Sequence, residues 1–124
     1  MVRVIVAGSR TFTDFKIVEQ NLLTYFKKHN LHHQDVEIIC GECRGADLLG
    51  KQFAEKKNCK ITFFLADWNT YGKSAGPIRN EQMAKYAKEQ NGILFAFWDG
   101  KSKGTKSMID LSKKYQLEIH IIEV

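Results

Sequence analysis

The sequence predicts an α/β fold in which one parallel sheet is covered by helices on both faces. Three observations carry that expectation. Short apolar runs alternate with longer amphipathic stretches along all 124 residues. The runs are continuously apolar, as strands buried on both faces are, and do not alternate in the manner of half-exposed strands. Segments that follow the runs are rich in Gly and polar residues and those that precede them are plainer, as expected when every strand points the same way.

Residues 2 to 7, Val-Arg-Val-Ile-Val-Ala, read as the first strand. Thr13 or Asp14 then caps a helix that carries Ile17, Leu22, Leu23, Tyr25 and Phe26 to about His29. Residues 36 to 40 form a second strand, and 46 to 57 a second helix with Leu48, Leu49, Phe53 and Ala54 inward. Residues 60 to 65 are a third strand, followed by a longer connection from 66 to 77. The one proline, Pro77, opens a third helix from about Ile78 to Glu89. Residues 93 to 98 are a fourth strand, 103 to 115 a fourth helix, and 117 to 123 a closing strand. Right-handed crossovers restrict the strand order to a few choices. The order 3-2-1-4-5 is expected, in a single Rossmann-like three-layer domain spanning residues 1–124.

Composition narrows the function classes. At 44% hydrophobic residues the chain can bury a core without disulfide staples. No apolar run approaches the roughly 20 residues of a membrane span. The apolar stretch at the N-terminus is too short for a signal-peptide core and runs into a turn, so a cytoplasmic setting is expected. Three cysteines, an odd number, also suit a reducing compartment. The formal net charge of +5 fits an anionic ligand and keeps nucleic acid open as a partner.

The glycines show where such a ligand would sit. Gly8-Ser9-Arg10-Thr11 follows the first strand and Gly41 to Asp47 the second. Asp67 to Asn80 follows the third, with Gly72 and Gly76, and Asp99 to Thr105 the fourth, with Gly100 and Gly104. Helix N-termini at this edge offer free N–H groups and a favourable dipole to an anion, and Gly lets the backbone come close to phosphate oxygens. In the order 3-2-1-4-5 the first and fourth strands diverge at the switch point, where ligands bind. Gly8-Ser9-Arg10 and residues 100 to 105 are therefore expected to face each other across a site.

These segments resemble the SLOG superfamily, and within it the small YspA/YpsA-related SLOG proteins. The carriers are Gly8-Ser9-Arg10, Gly41 with Gly45-Ala46-Asp47, Gly76-Pro77-Ile78-Arg79-Asn80 with Met83, and Trp98-Asp99-Gly100 with Ser102, Gly104 and Thr105. The resemblance implies a Rossmann-like fold, binding of a nucleotide or nucleotide-derived signal, and a homodimer. More distantly the chain is similar to LOG-type phosphoribohydrolases, which cleave the base from a nucleoside 5′-monophosphate. Gly104-Thr105 and Arg79 match their pattern, but Met108 stands where their Glu would be. Cleavage through an oxocarbenium-like state wants a carboxylate nearby.

Individual residues carry alternatives. Arg79 is the first choice for a ligand phosphate, since guanidinium binds oxyanions through a bidentate fork; its plain role is a salt bridge to Glu81 or Asp67. Arg10 divides the same way. Arg44 at a helix start would be eased by a bound anion. Ser9, Ser102 and Thr105 could give hydroxyls to phosphate, or the last two could simply cap a helix. Asp47 could accept from a ribose hydroxyl. Trp68 and Tyr71 could stack on a base or cover the sheet edge. Cys40-Gly41-Glu42-Cys43 is a CxxC, open to a redox reading or, with His32 and His33, to half a zinc site; a buried strand-end Cys40 and a capping-region Cys43 are the plainer roles.

The expected function is binding of a nucleotide-like small molecule, as a signal sensor would, with N-glycosidic hydrolysis and single-stranded nucleic-acid binding as alternatives. Ligand-binding candidates are Gly8, Ser9, Arg10, Gly41, Gly45, Asp47, Trp68, Tyr71, Gly76, Arg79, Asn80, Asp99, Gly100, Ser102, Gly104 and Thr105. Candidates for catalysis, should turnover occur, are Arg79, Glu81 and Asp99. No metal or cofactor is expected.

Overall fold

The computed structural model describes residues 1–41 and 45–124. Five strands form one parallel sheet: β1 (Val2–Gly8), β2 (Val36–Cys40), β3 (Lys60–Phe63), β4 (Ile93–Trp98) and β5 (Glu118–Glu123). Their order is β3-β2-β1-β4-β5, and every neighbouring pair is parallel. The helices are α1 (Phe15–Lys28), α2 (Gly45–Lys57), α3 (Trp68–Tyr71), α4 (Ala75–Lys88) and α5 (Lys103–Lys114). No helix among the described residues is long and apolar enough to cross a membrane.

The sheet separates two cores. Val4 and Val6 point to one face, where Val18, Leu22 and Phe26 of α1 and Leu49 and Phe53 of α2 cover them. Ile5 and Ala7 point to the other, against Met83, Ala84 and Ala87 of α4 and Met108 and Ile109 of α5. Alternation along a single strand thus feeds both layers, which is why the strand reads as a continuous apolar run. Burying a side chain such as Ile109 contributes about 1.5–3 kcal/mol.

The two edges of the sheet are built differently. Each return from helix to strand turns through a left-handed residue: Asn30, Asn58, Asn91 and Gln116 have φ of 54°, 57°, 51° and 59°. These are economical helix stops. The opposite edge holds the longer loops and the helix starts. The Asp14 side chain caps α1 by accepting from the Lys16 and Ile17 N–H groups.

Three boundaries depart from expectation. β3 ends at Phe63, two residues before Leu65, because its partner β2 ends at Cys40; the Phe64 N–H makes the last bond, to the Cys40 carbonyl at 2.9 Å. The connection after β3 is partly ordered into α3, capped by the Asp67 side chain, and a 3₁₀ turn at Gly72–Ser74. α4 starts at Ala75, so Pro77 is its third residue and not its first. That position tolerates proline, since the first four helical N–H groups have no partner within the helix.

Candidate functional site

Where β1 and β4 part company, their following segments must diverge, β1 toward α1 on one face and β4 toward α5 on the other. The gap they leave is a crevice of about 390 Å³, within the scale of small-molecule sites. Ala7, Met83 and Met108 give it an apolar floor. Gly8, Ser9 and Arg10 line one wall; Ser102, Gly104 and Thr105 line another, with Asp99 beside them. Arg79 and Asn80 enter from α4, and Asp47 from the first turn of α2. The expected opposition of the two strand-end segments is therefore present.

Several close approaches make this geometry. A side chain at Gly8 would run into the Phe97 carbonyl and the Ala46 methyl, so only Gly lets β1 end tightly between β4 and α2. Gly41 serves Arg79: a Cβ there would lie 2.5 Å from Nη1 and 2.8 Å from Cζ. The guanidinium rests in the space a side chain would fill. Arg79 Nε donates to Asn80 Oδ1 at 3.0 Å, and not to Glu81 or Asp67. Asn80, 7% exposed, in turn donates from Nδ2 to the Gly104 carbonyl at 3.4 Å, tying α4 to α5.

Two polar groups in this crevice are unsatisfied. Arg79 Nη1 and the Ser9 hydroxyl are buried, and neither has a hydrogen-bond partner among the described residues. Ser9 as a whole is 3% exposed. Such orphans are uncommon in native proteins and costly, at about 1–3 kcal/mol each.

The α5 side is the reverse. Asp99 Oδ1 accepts from the N–H groups of Lys101 and Ser102, both at 2.8 Å. Ser102 caps α5, accepting from the Thr105 N–H at 3.4 Å and sharing a 3.0 Å bond with the Thr105 hydroxyl. The Ser102 and Lys101 N–H groups hold the Asp99 carboxyl below the usual carboxylate range. The Ser9 hydroxyl lowers it a little further, although it lies outside hydrogen-bonding geometry.

Some candidates fall elsewhere. Trp68, Tyr71, Gly76 and Gly100 do not line the crevice. Trp68 and Tyr71 are about half exposed, at 48% and 49%, and the Trp68 ring packs beside Gly76. Glu81 is on the outer side of α4, held by the Tyr115 hydroxyl at 3.0 Å and Lys114 Nζ at 3.3 Å. Gly45, with φ of 51°, packs against the Ser9 carbonyl and Arg10 and shapes the loop. Cys40 is buried at the end of β2; Cys43 and Arg44 lie outside the described residues, so the CxxC reading does too. Thr11 and Lys103 also line the crevice; in the sequence they are marked only by adjoining Arg10 and Ser102.

The fold has a counterpart among known proteins. The whole chain superposes on half, 51%, of DNA processing protein A (DprA) from Streptococcus pneumoniae, with a TM-score of 0.76. Sequence identity is 14%, so the likeness is one of fold. The Gene 61 protein of Mycobacterium phage D29 is 30% identical over 121 residues, which is 92% of this chain and 90% of that protein. Residues 2–71 match the YspA, cpYpsA-related SLOG family. With its strand order, its β1/β4 crevice and these matches taken together, the chain belongs to the YspA, cpYpsA-related SLOG family.

Proposed function

We propose that the chain binds a nucleotide or nucleotide-derived small molecule in the β1/β4 crevice, as a ligand sensor would, and holds its anionic group through Arg79. The observation that carries this reading is the unsatisfied pair, Arg79 Nη1 and the Ser9 hydroxyl, buried in one crevice. A phosphate oxygen would give both donors an acceptor and offset the cost of leaving them unpaired. The apolar floor of Met83 and Met108 suits the uncharged part of such a ligand. Met108, 1% exposed, stands where the phosphoribohydrolase pattern has its Glu; holding of the ligand without cleavage is therefore the reading, and Asp47 and Asp99 are the carboxylates of the crevice that turnover would need.

Calorimetry against nucleoside mono-, di- and cyclic phosphates tests this. Binding is expected for at least one, weakened about tenfold or more by Arg79→Ala, which corresponds to about 1.4 kcal/mol. A panel without binding overturns the reading, and release of free base overturns its non-catalytic part. A second reading draws on a different surface. Exposed Leu65, Trp68 and Tyr71, with the net charge of +5, suit stacking and steering of single-stranded nucleic acid. The similar Streptococcus pneumoniae structure is titled a DNA processing protein. A salt-sensitive gel shift abolished by Trp68→Ala supports this second reading, and no shift at low salt removes it.

A further inference from the structure

We infer that the crevice is polar in a fixed direction: the ligand's anion rests on Arg79, while a hydroxyl-bearing part such as a ribose diol faces Asp99. This rests on the binding reading above and adds the orientation. A glycine-bearing helix start such as that of α5 would ordinarily be the seat of the anion. Here the turn just ahead of the helix holds its own anion. The Asp99 carboxylate takes the Lys101 and Ser102 N–H groups, the Ser102 hydroxyl takes the Thr105 N–H, and the Ser102 carbonyl takes the Lys106 N–H at 3.1 Å. A phosphate placed there would stand against an ionised carboxylate, and like charges about 4 Å apart repel by about 1 kcal/mol even in bulk water. A diol instead donates to a carboxylate.

The α4 side offers the opposite chemistry. Arg79 is held in place by Asn80 and by the bare backbone of Gly41, yet Nη1 is left without an acceptor. Ser9, 3% exposed, lines the same crevice, and its hydroxyl lies toward Asp99, whose carboxyl it lowers. Asp47 shares the Gly41 seat with Arg79 and lines the crevice, so the anion is expected on the side of the guanidinium away from Asp47. The exposed Arg10 and Lys103 stand at the rim.

The test titrates the full chain, Arg79→Gln and Asp99→Asn with inorganic phosphate, the nucleoside 5′-monophosphates and their 2′,3′-dideoxy counterparts, after melting curves confirm that each variant is folded. Asn can still make the turn that Asp99 makes, so that variant isolates the charge. The expected result is a split. Arg79→Gln weakens phosphate and monophosphates alike by about tenfold or more. Asp99→Asn erases the preference for ribo- over dideoxyribonucleotide and leaves inorganic phosphate within about twofold, since a hydrogen bond to a charged group is lost only by the diol. Tighter phosphate binding by Asp99→Asn, with no change in Arg79→Gln, would reverse the orientation and leave the binding reading standing. Absence of any binding to the unmodified chain would remove both.

Discussion

Arginines stand at both ends of the sheet, and the protein treats them oppositely. Arg3, at the start of β1, is 9% exposed and engaged through both Nε and Nη1. Its Nε donates to Glu37 at 3.3 Å, its Nη1 to the Tyr86 carbonyl at 2.6 Å and to Glu89 at 3.0 Å, and its guanidinium covers the Tyr86 ring at 3.6 Å. Glu37, 1% exposed, also accepts from the Tyr86 and Thr62 hydroxyls. Arg79, at the other end, has one bond to its neighbour and a buried Nη1 with none. Both residues are charged, Arg3 a buried residue and Arg79 a half-buried one whose Nη1 is out of solvent; the Nη1 of Arg3 has acceptors and that of Arg79 has none among the described residues. A closed network holds strands and helix together, whereas an open one leaves capacity for something outside the chain.

Breaking the closed end should have the largest effect. Glu37→Leu removes the acceptor of Arg3, Thr62 and Tyr86 together, and loss of one partner of a buried ion pair costs about 3–5 kcal/mol. Urea unfolding should show it as a lower midpoint. The same residue makes the fold acid-sensitive. Burial pushes the Glu37 carboxyl up, but the Thr62 and Tyr86 hydroxyls and the Lys60 and Arg3 charges outweigh it and hold it below the ordinary value. The unfolded chain therefore takes up this proton first. The stabilisation is present above the unfolded pKa and is lost as pH falls through the folded one. Melting temperature against pH should fall less steeply in Glu37→Gln than in the unmodified chain.

At the open end the expected changes are smaller in stability and larger in binding. Gly41→Ala forces the guanidinium of Arg79 from its seat, so nucleoside monophosphate affinity should fall about tenfold; combined with Arg79→Ala it should add nothing further. Unchanged affinity would mean that the seat is irrelevant. Gly104→Ala separates loop chemistry from helix chemistry. Nothing lies within 4 Å of a Cβ at Gly104, and Ala is favoured over Gly in a helix by up to about 1 kcal/mol. The melting temperature should rise.

The fold was legible because its signals are local: continuous apolar runs for strands, Asp14 as a cap, and Gly-rich segments all on one edge. The crevice was legible for the same reason, since parallel strands of known order bring Ser9 and Thr105 together. What escaped depends on tertiary detail. Gly41 reads as a ligand-approach glycine and is a seat for Arg79, a contact between residues 38 positions apart. Asp99 reads as a catalytic or ligand-binding candidate and also closes a backbone turn. Glu37 gave no signal, because one acidic residue in an apolar strand reveals nothing of the Arg3, Thr62 and Tyr86 groups that gather around it.

Amide shift mapping tests most directly which end of the sheet is open. Titrating the ¹⁵N-labelled chain with nucleoside 5′-monophosphates should move the resonances of Ser9, Arg10, Arg79, Asn80 and residues 99–105, and leave those of Arg3, Glu37 and Thr62 in place. Shifts centred on the Arg3–Glu37 end, or none at all at millimolar ligand, would contradict the account.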